Sequence, residues 1–303
     1  MLQEARAFFA ARKILEVDCC ALRPCAAIDA NIDVISASVS NVETGFLHTS
    51  PEYAMKRLLA QGSGDIYYLG HVFRKGDIGR LHNPEFAMAE WYRLGISFAE
   101  LIQETCDFLF LFLGPQPTRT IGYREAFERY AGIDYTAASL DEIQKTARKF
   151  GASDSDHWDR NTYIHFLLTH AIEPHLGRKE LTILTDYPPH EAALAQVIEK
   201  NGEKVAERFE VYYQSVELAN GYHELADASE LRRRFHQENE IRRSQGKESY
   251  RLDEPFLAAL GDGLPECCGV SVGFDRALML RQKAQSLAEV LPFAWESDSL
   301  YET

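Results

Sequence analysis

The run His82-Asn83-Pro84-Glu85-Phe86-Ala87-Met88-Ala89-Glu90-Trp91-Tyr92, set a short polar loop after Phe73-Arg74, decides how this chain is read. Residues 66–73 are apolar and β-rich, residues 75–83 are polar, and residues 85–93 read as a second strand. Side chains alternate across a strand, so Phe86, Met88, Glu90 and Tyr92 share one face and Ala87, Ala89 and Trp91 the other. The second set is a plain core face. The first puts a carboxylate and a phenol beside apolar groups, which is costly on a buried surface unless a ligand lies on it.

A distant segment, Gly269-Val270-Ser271-Val272-Gly273-Phe274-Asp275-Arg276, runs glycines into an arginine at a helix start. Gly269 and Gly273 let backbone approach a ligand closely. Arg276 adds positive charge where a helix dipole already favours anions. Arg74, between a strand and a loop, can grip a phosphate and a carboxylate together through forked hydrogen bonds. The two segments suit a nucleoside triphosphate held between two arginines, and hence activation of a carboxylate as an adenylate. The chain has no GxxxxGK[ST] loop, so a P-loop enzyme is not expected.

Glu217-Leu218-Ala219-Asn220-Gly221-Tyr222-His223-Glu224 forms the third cluster. Asn220, Tyr222 and Glu224 alternate onto one face. Glu217 has the opposite parity and needs a bulge near Gly221 to turn inward. Glu217 and Glu224 beside a triphosphate would suit Mg²⁺, a hard cation that prefers oxygen ligands. Glu52, Glu90 and Glu224 together would make an acidic pocket that demands cations, and a diamino acid supplies two.

Of the 303 residues 46% are hydrophobic, enough for one large core or two small ones. A net charge of −14 opposes broad nucleic-acid binding. Arg232-Arg233-Arg234 and Arg242-Arg243 are the candidate basic patches, though such runs are more often a solvated helix face. The most apolar run, residues 108–113, is far shorter than the roughly 18 residues of a membrane span. The N-terminus lacks the basic-then-apolar form of a signal peptide. Cysteines 19, 20, 25, 106, 267 and 268 make no CxxC pair, so reduced thiols in a cytoplasmic protein are expected.

Residues 4–12 predict a helix and residues 14–22 a strand ended by Pro24. Residues 52–61 predict a helix introduced by Ser50-Pro51. Residues 98–113 predict an amphipathic helix, and residues 114–185 a mostly helical stretch broken at Gly132, Gly151 and Pro174. Strands follow at 182–187 and 206–218, then helices at 233–246 and 273–283. Antiparallel-looking strands at both ends with helices between them favour an α+β fold.

Thr49-Ser50-Pro51-Glu52-Tyr53, Met55-Lys56-Arg57-Leu58-Leu59, Gly79-Arg80, the His82 and Glu90 runs, Arg208-Phe209-Glu210-Val211-Tyr212-Tyr213, residues 217–225 and Gly273-Phe274-Asp275-Arg276 resemble the class II lysyl-tRNA synthetase catalytic domain. The resemblance runs from about residue 4 to residue 293. It looks closest to that domain's stand-alone relatives, the elongation factor P β-lysine ligases. The resemblance implies the class II catalytic fold, an antiparallel sheet flanked by helices, as one domain over 1–303 with a mostly helical insertion at about 114–185. The chain begins at that domain's first helix, so no anticodon-binding domain and no tRNA partner are expected. It also implies a homodimer, ATP and Mg²⁺, elongation factor P as protein substrate, and lysine or β-lysine as small substrate.

By the same resemblance Arg74, Arg276 and Glu217 carry the chemistry. The ATP site comprises Arg74, Lys75, Gly76, His82, Asn83, Phe86, Glu217, Leu218, Gly273 and Arg276, with Phe86 stacking on adenine. Ser50, Pro51, Glu52, Glu90, Tyr92, Asn220, Tyr222, Glu224 and Ser271 line the amino-acid pocket, and Glu217 and Glu224 hold Mg²⁺. Aminoacylation of tRNA with α-lysine and a non-catalytic regulatory role are the alternatives. Three places depart from the pattern, and the first is Cys20, which stands where the proline of the first motif, at the dimer contact, is expected. Arg74-Lys75-Gly76-Asp77 replaces Arg-Asn-Glu-Glu, which puts Gly76 where a glutamate reads the adenine amino group. Ser271 replaces the synthetases' glycine, which would reshape the pocket in favour of β-lysine.

Overall fold

A computed structural model describes residues 1–153, 155 and 157–295. Residues 296–303, read above as part of the same domain, lie outside them. The chain forms two compact units, one from residues 1–114 with the chain from 222 onward, the other Pro115–Gly221.

In the first unit the strands run in the order Leu15–Glu16, Ile66–Phe73, Glu85–Leu94, Cys267–Gly273. The first pair is parallel and the others antiparallel. The alternation read from the sequence holds along Glu85–Leu94. Trp91 is fully buried in an aromatic core, 5.3 Å from Phe9 and 5.1 Å from Phe108 between ring centroids. Tyr67 stacks on Phe9 at 4.0 Å. Helix Leu2–Ala11 supplies Phe9, and helix Phe98–Leu113 supplies Phe108. The longer helix begins in a reciprocal capping box between Ser97 and Glu100. The strand's far end is pinned by Asp65, which accepts from Leu94 N at 2.8 Å and from Arg93 Nε at 2.9 Å. Aromatic packing on one face thus holds the opposite face rigid for the site.

In the second unit the order is Val216–His223, up to Gly221, then Glu203–Tyr213, Leu181–Tyr187, Thr118–Gly122. Strand Val197–Lys200 pairs along Glu203–Tyr213. Helices and antiparallel sheet with a few parallel pairings make the fold α+β.

Three element readings are corrected. Residues 14–22 are not one strand; they give Leu15–Glu16, an irregular stretch, and Leu22–Arg23, which joins a separate three-stranded sheet. Residues 206–218 are two strands, Glu203–Tyr213 and Val216–His223, with Gln214 and Ser215 between them at φ 50° and 59°. Two consecutive positive φ angles match the twist of a tight hairpin, but neither residue is the Asn or Gly that usually announces one. Residues 114–185 include a strand, Thr118–Gly122, paired in parallel with Leu181–Tyr187. Of the predicted breaks, Gly132 closes a helical segment in the left-handed conformation at φ 70°.

Candidate active site

Helix Glu52–Ala60 opens the pocket. Pro51 sits at its N-cap, and the Ser50 hydroxyl accepts a hydrogen bond from Glu52 N at 3.0 Å. The same hydroxyl donates to Glu90 Oε2 at 2.6 Å, while Tyr92 Oη donates to Glu90 Oε1 at 2.9 Å. Glu90 and Tyr92 therefore meet on one strand face, as their parity predicts. Glu90, Tyr92 and Glu224 are all buried.

A residue the sequence reading quoted but gave no role lies at the centre. Lys56 is fully buried, with Nζ 2.6 Å from Glu52 Oε1 and 2.5 Å from Glu224 Oε2. Burial works against its charged form, but the Glu224 and Glu52 carboxylates outweigh that and raise its proton affinity. The available signal was the four-residue spacing from Glu52 on a helix.

Burial pushes Glu90 up to about 8 from its usual 4.5, with repulsion from Glu52 next in size. Its proton is thus held more tightly in the folded chain than in the unfolded one. Between about 4.5 and 8 the folded state binds more protons, so this group's contribution to stability falls as pH rises through that window. Glu90→Gln is expected to raise the melting temperature at pH 8 by roughly 2–4 °C and to leave it nearly unchanged at pH 4.5. Thermal melts at both pH values check this; a variant that melts lower than the parent at pH 8 would contradict it.

Strand Cys267–Gly273 lies beside Glu85–Leu94, with Gly269 opposite Tyr92, Ser271 opposite Glu90 and Gly273 opposite Met88. Small residues thus face the pocket's polar side chains. A Cβ at Gly269 would lie 2.3 Å from Tyr92 Cε1 and 2.4 Å from Glu224 Oε1, so those two side chains fill the space glycine leaves.

Arg74 follows strand Ile66–Phe73, and Arg276 lies in the helix that follows strand Cys267–Gly273. Arg74 donates its backbone N–H to Pro84 O at 2.8 Å, and its guanidinium carbon lies 5.1 Å from the Phe86 ring centroid. Arg74 Nε is buried with no hydrogen-bond partner among the described residues. Arg276, in the first turn of helix Phe274–Gln282, donates to His82 Nε2 at 3.0 Å and to Leu81 O at 3.2 Å. The two distant segments therefore meet. Partial burial, then the Arg276 and Arg74 charges, lower the proton affinity of His82 and keep it a neutral acceptor. Asp275, given no role from sequence, accepts from Ala87 N at 2.7 Å and ties the Arg276 helix to the Phe86 strand. A buried guanidinium nitrogen without an acceptor, beside a second guanidinium and a neutral imidazole, fits a polyphosphate.

Lys75 and Gly76 are exposed. Gly76 adopts φ 82°, which favours glycine, so the loop has a turn where the related pattern has a glutamate. Asn83 Nδ2 donates to Glu85 O at 2.6 Å, and Asn83 Oδ1 accepts from Trp295 N at 2.8 Å. Glu217, Leu218 and Asn220 lie in the second unit on strand Val216–His223, with Leu218 buried and the other two half-buried. Tyr222, in the first unit, is half-buried. Among the described residues no three His, Cys, Asp or Glu side chains form a metal-holding group.

Four arginines of the basic runs are engaged with carboxylates of the chain itself. Arg232 forks onto Glu254 at 2.7 and 2.5 Å, and Arg233 and Arg234 share Glu230. Arg242 is buried, 2.9 Å from Asp33.

A family model described as tRNA synthetases class II (D, K and N) matches residues 1–297. A protein of Avibacterium paragallinarum named elongation factor P–(R)-β-lysine ligase is 39% identical over 302 residues, 98% of this chain and 94% of the relative. A protein of the same name from Salmonella paratyphi B is 40% identical over 300 residues, 97% of this chain and 92% of the relative.

Proposed function

The chain belongs to the class II tRNA synthetases of the D, K and N type, and from that premise we propose that it is an ATP-dependent ligase that activates (R)-β-lysine and transfers it to a lysine side chain of elongation factor P. The observation that carries this reading is the arrangement along one strand. Phe86 lies under the Arg74 guanidinium, the Arg276 guanidinium donates to the neutral imidazole of His82, and Glu90, four residues on from Phe86, lies in the acidic pocket with Glu52 and Glu224. At about 3.3 Å per strand residue the two ends are about 13 Å apart, a span suited to nucleotide phosphates at one end and the amines of a six-carbon diamino acid at the other.

The substrate carboxylate oxygen attacks the α-phosphorus of ATP, the bond to the β-phosphate oxygen breaks, and pyrophosphate leaves. Arg74 holds the carboxylate and the α-phosphate, Arg276 the γ-phosphate, and Phe86 stacks on adenine, with Lys75, Gly76, His82, Asn83, Leu218 and Gly273 completing the nucleotide site. Next, a neutral lysine amine of elongation factor P attacks the carbonyl carbon, and AMP leaves. Mg²⁺ supplies charge neutralisation at the phosphates when bound. Glu217 would hold it, since Mg²⁺ keeps water and phosphate oxygens as most of its ligands. Glu224 already carries the Lys56 ammonium, and we place it with the substrate amines rather than the metal. Ser50, Pro51, Glu52, Glu90, Tyr92, Asn220, Tyr222 and Ser271 complete that pocket.

A cytoplasmic homodimer fits this reading. Leu15 and Leu22 are 57% and 44% exposed, apolar surface that a second copy would cover. No helix among the described residues is long and apolar enough to cross a membrane.

The test is the intact mass of elongation factor P incubated with this protein, ATP and (R)-β-lysine, with α-lysine in parallel. The expected result is a gain of one lysyl unit, faster with the β-isomer. No gain with either isomer overturns the reading in favour of tRNA charging or a regulatory role.

A further inference from the structure

We propose that Lys56 is a positioning residue for the substrate amines: its ammonium, clamped between Glu52 and Glu224, fixes two carboxylates in place and cancels one of their charges, so that the pocket matches a dication. The inference rests on the diamino-acid reading above.

A buried lysine between two carboxylates costs desolvation that apolar packing at the same place would avoid, so the cluster is a poor device for stability alone. Its geometry suits another purpose. Lys56 engages Oε1 of Glu52 and Oε2 of Glu224, on separate elements of the same unit. Glu224 Oε1 lies on the Gly269 side, toward Tyr92. Glu90 lies across the pocket, within electrostatic reach of both other carboxylates. With a doubly protonated diamino acid bound, its ammonium groups favour release of the proton that burial holds on Glu90, and three carboxylates with one ammonium then leave a deficit of two charges, the number that the substrate brings. Without Lys56, Glu224 loses the contact that holds its Oε2.

The test is ATP–pyrophosphate exchange with (R)-β-lysine for the parent, Lys56→Met and Lys56→Arg, with KM for ATP measured alongside. Lys56→Met is expected to raise KM for β-lysine at least about tenfold, with kcat and KM for ATP within about threefold of the parent. Lys56→Arg, which keeps the cation, recovers part of that loss. Losses spread equally over kcat and both KM values, or an arginine variant no better than methionine, overturn the proposal.

A second readout needs no activation chemistry. 1,5-Diaminopentane is expected to raise the melting temperature of the parent and of Lys56→Arg but not of Lys56→Met, and an equal rise in all three overturns the proposal. If Lys56→Met does not fold, Lys56→Arg carries the test, because altered clamp geometry must still shift KM for β-lysine selectively. A parent that supports no exchange with any lysine isomer overturns the ligase reading instead, while the diamine melts still judge Lys56.

Discussion

Arg74→Ala is expected to slow β-lysine-dependent ATP–pyrophosphate exchange by about a thousandfold or more, a loss of about 4 kcal/mol of transition-state stabilisation. The size of the effect follows from where the guanidinium sits. It leaves the end of strand Ile66–Phe73, lies over the Phe86 ring, and keeps a buried Nε without a hydrogen-bond partner among the described residues. A desolvated donor of that kind is held ready for an anion. As the carboxylate attacks, two anionic groups are forced together, and a forked cation bridging them is worth most at that moment. The fold should tolerate the change, because among the described residues the side chain makes no ion pair whose loss would strand a buried charge. Circular dichroism and the melting temperature are therefore expected to match the parent. Arg74→Lys restores charge but not the planar fork, and exchange should stay at least about tenfold below the parent. A rate for Arg74→Ala within tenfold of the parent would remove Arg74 from the chemistry.

How much of this was legible in the sequence depends on the kind of signal. The Glu90–Tyr92 pair was readable because strand parity is a local rule, and the hydrogen bond between them lies on the face assigned to them. The meeting of Arg276 with His82 needed long-range pairing, here strand Cys267–Gly273 against Glu85–Leu94, which no local pattern specifies. The resemblance to a known family supplied it instead. Lys56 went unassigned because lysine is ordinarily a solvated residue, and only a three-dimensional view shows its two carboxylate partners. The hairpin at Gln214-Ser215 was missed because its positive φ angles fall on residues that rarely adopt them. Strand Thr118–Gly122 was missed because it is short and carries no alternation strong enough to outweigh the helical patterns around it.

Gly269→Ala is expected to lower kcat/KM for β-lysine by about a hundredfold while leaving KM for ATP nearly unchanged, and to cost about 1–3 kcal/mol of stability through overpacking. One added methyl would lie 2.3 Å from Tyr92 Cε1 and 2.4 Å from Glu224 Oε1, so one or both must move. Neither moves easily. Tyr92 donates to Glu90, which is also held by Ser50, and Glu224 is clamped by Lys56. Displacing either side chain therefore disturbs every carboxylate of the amine pocket together. At the other end of the same strand a Cβ on Gly273 would meet Arg276 Cδ at 3.5 Å, an ordinary contact, so Gly273→Ala should lose less. Exchange kinetics and urea melts of the two variants separate the cases. If Gly269→Ala changes KM for ATP as much as KM for β-lysine, the methyl acts through the whole sheet, and the amine pocket is not where Gly269 matters. If the β-lysine term alone falls, the glycine is required by close packing of Tyr92 and Glu224 against the strand, and the pocket's charge and its shape depend on the same few atoms.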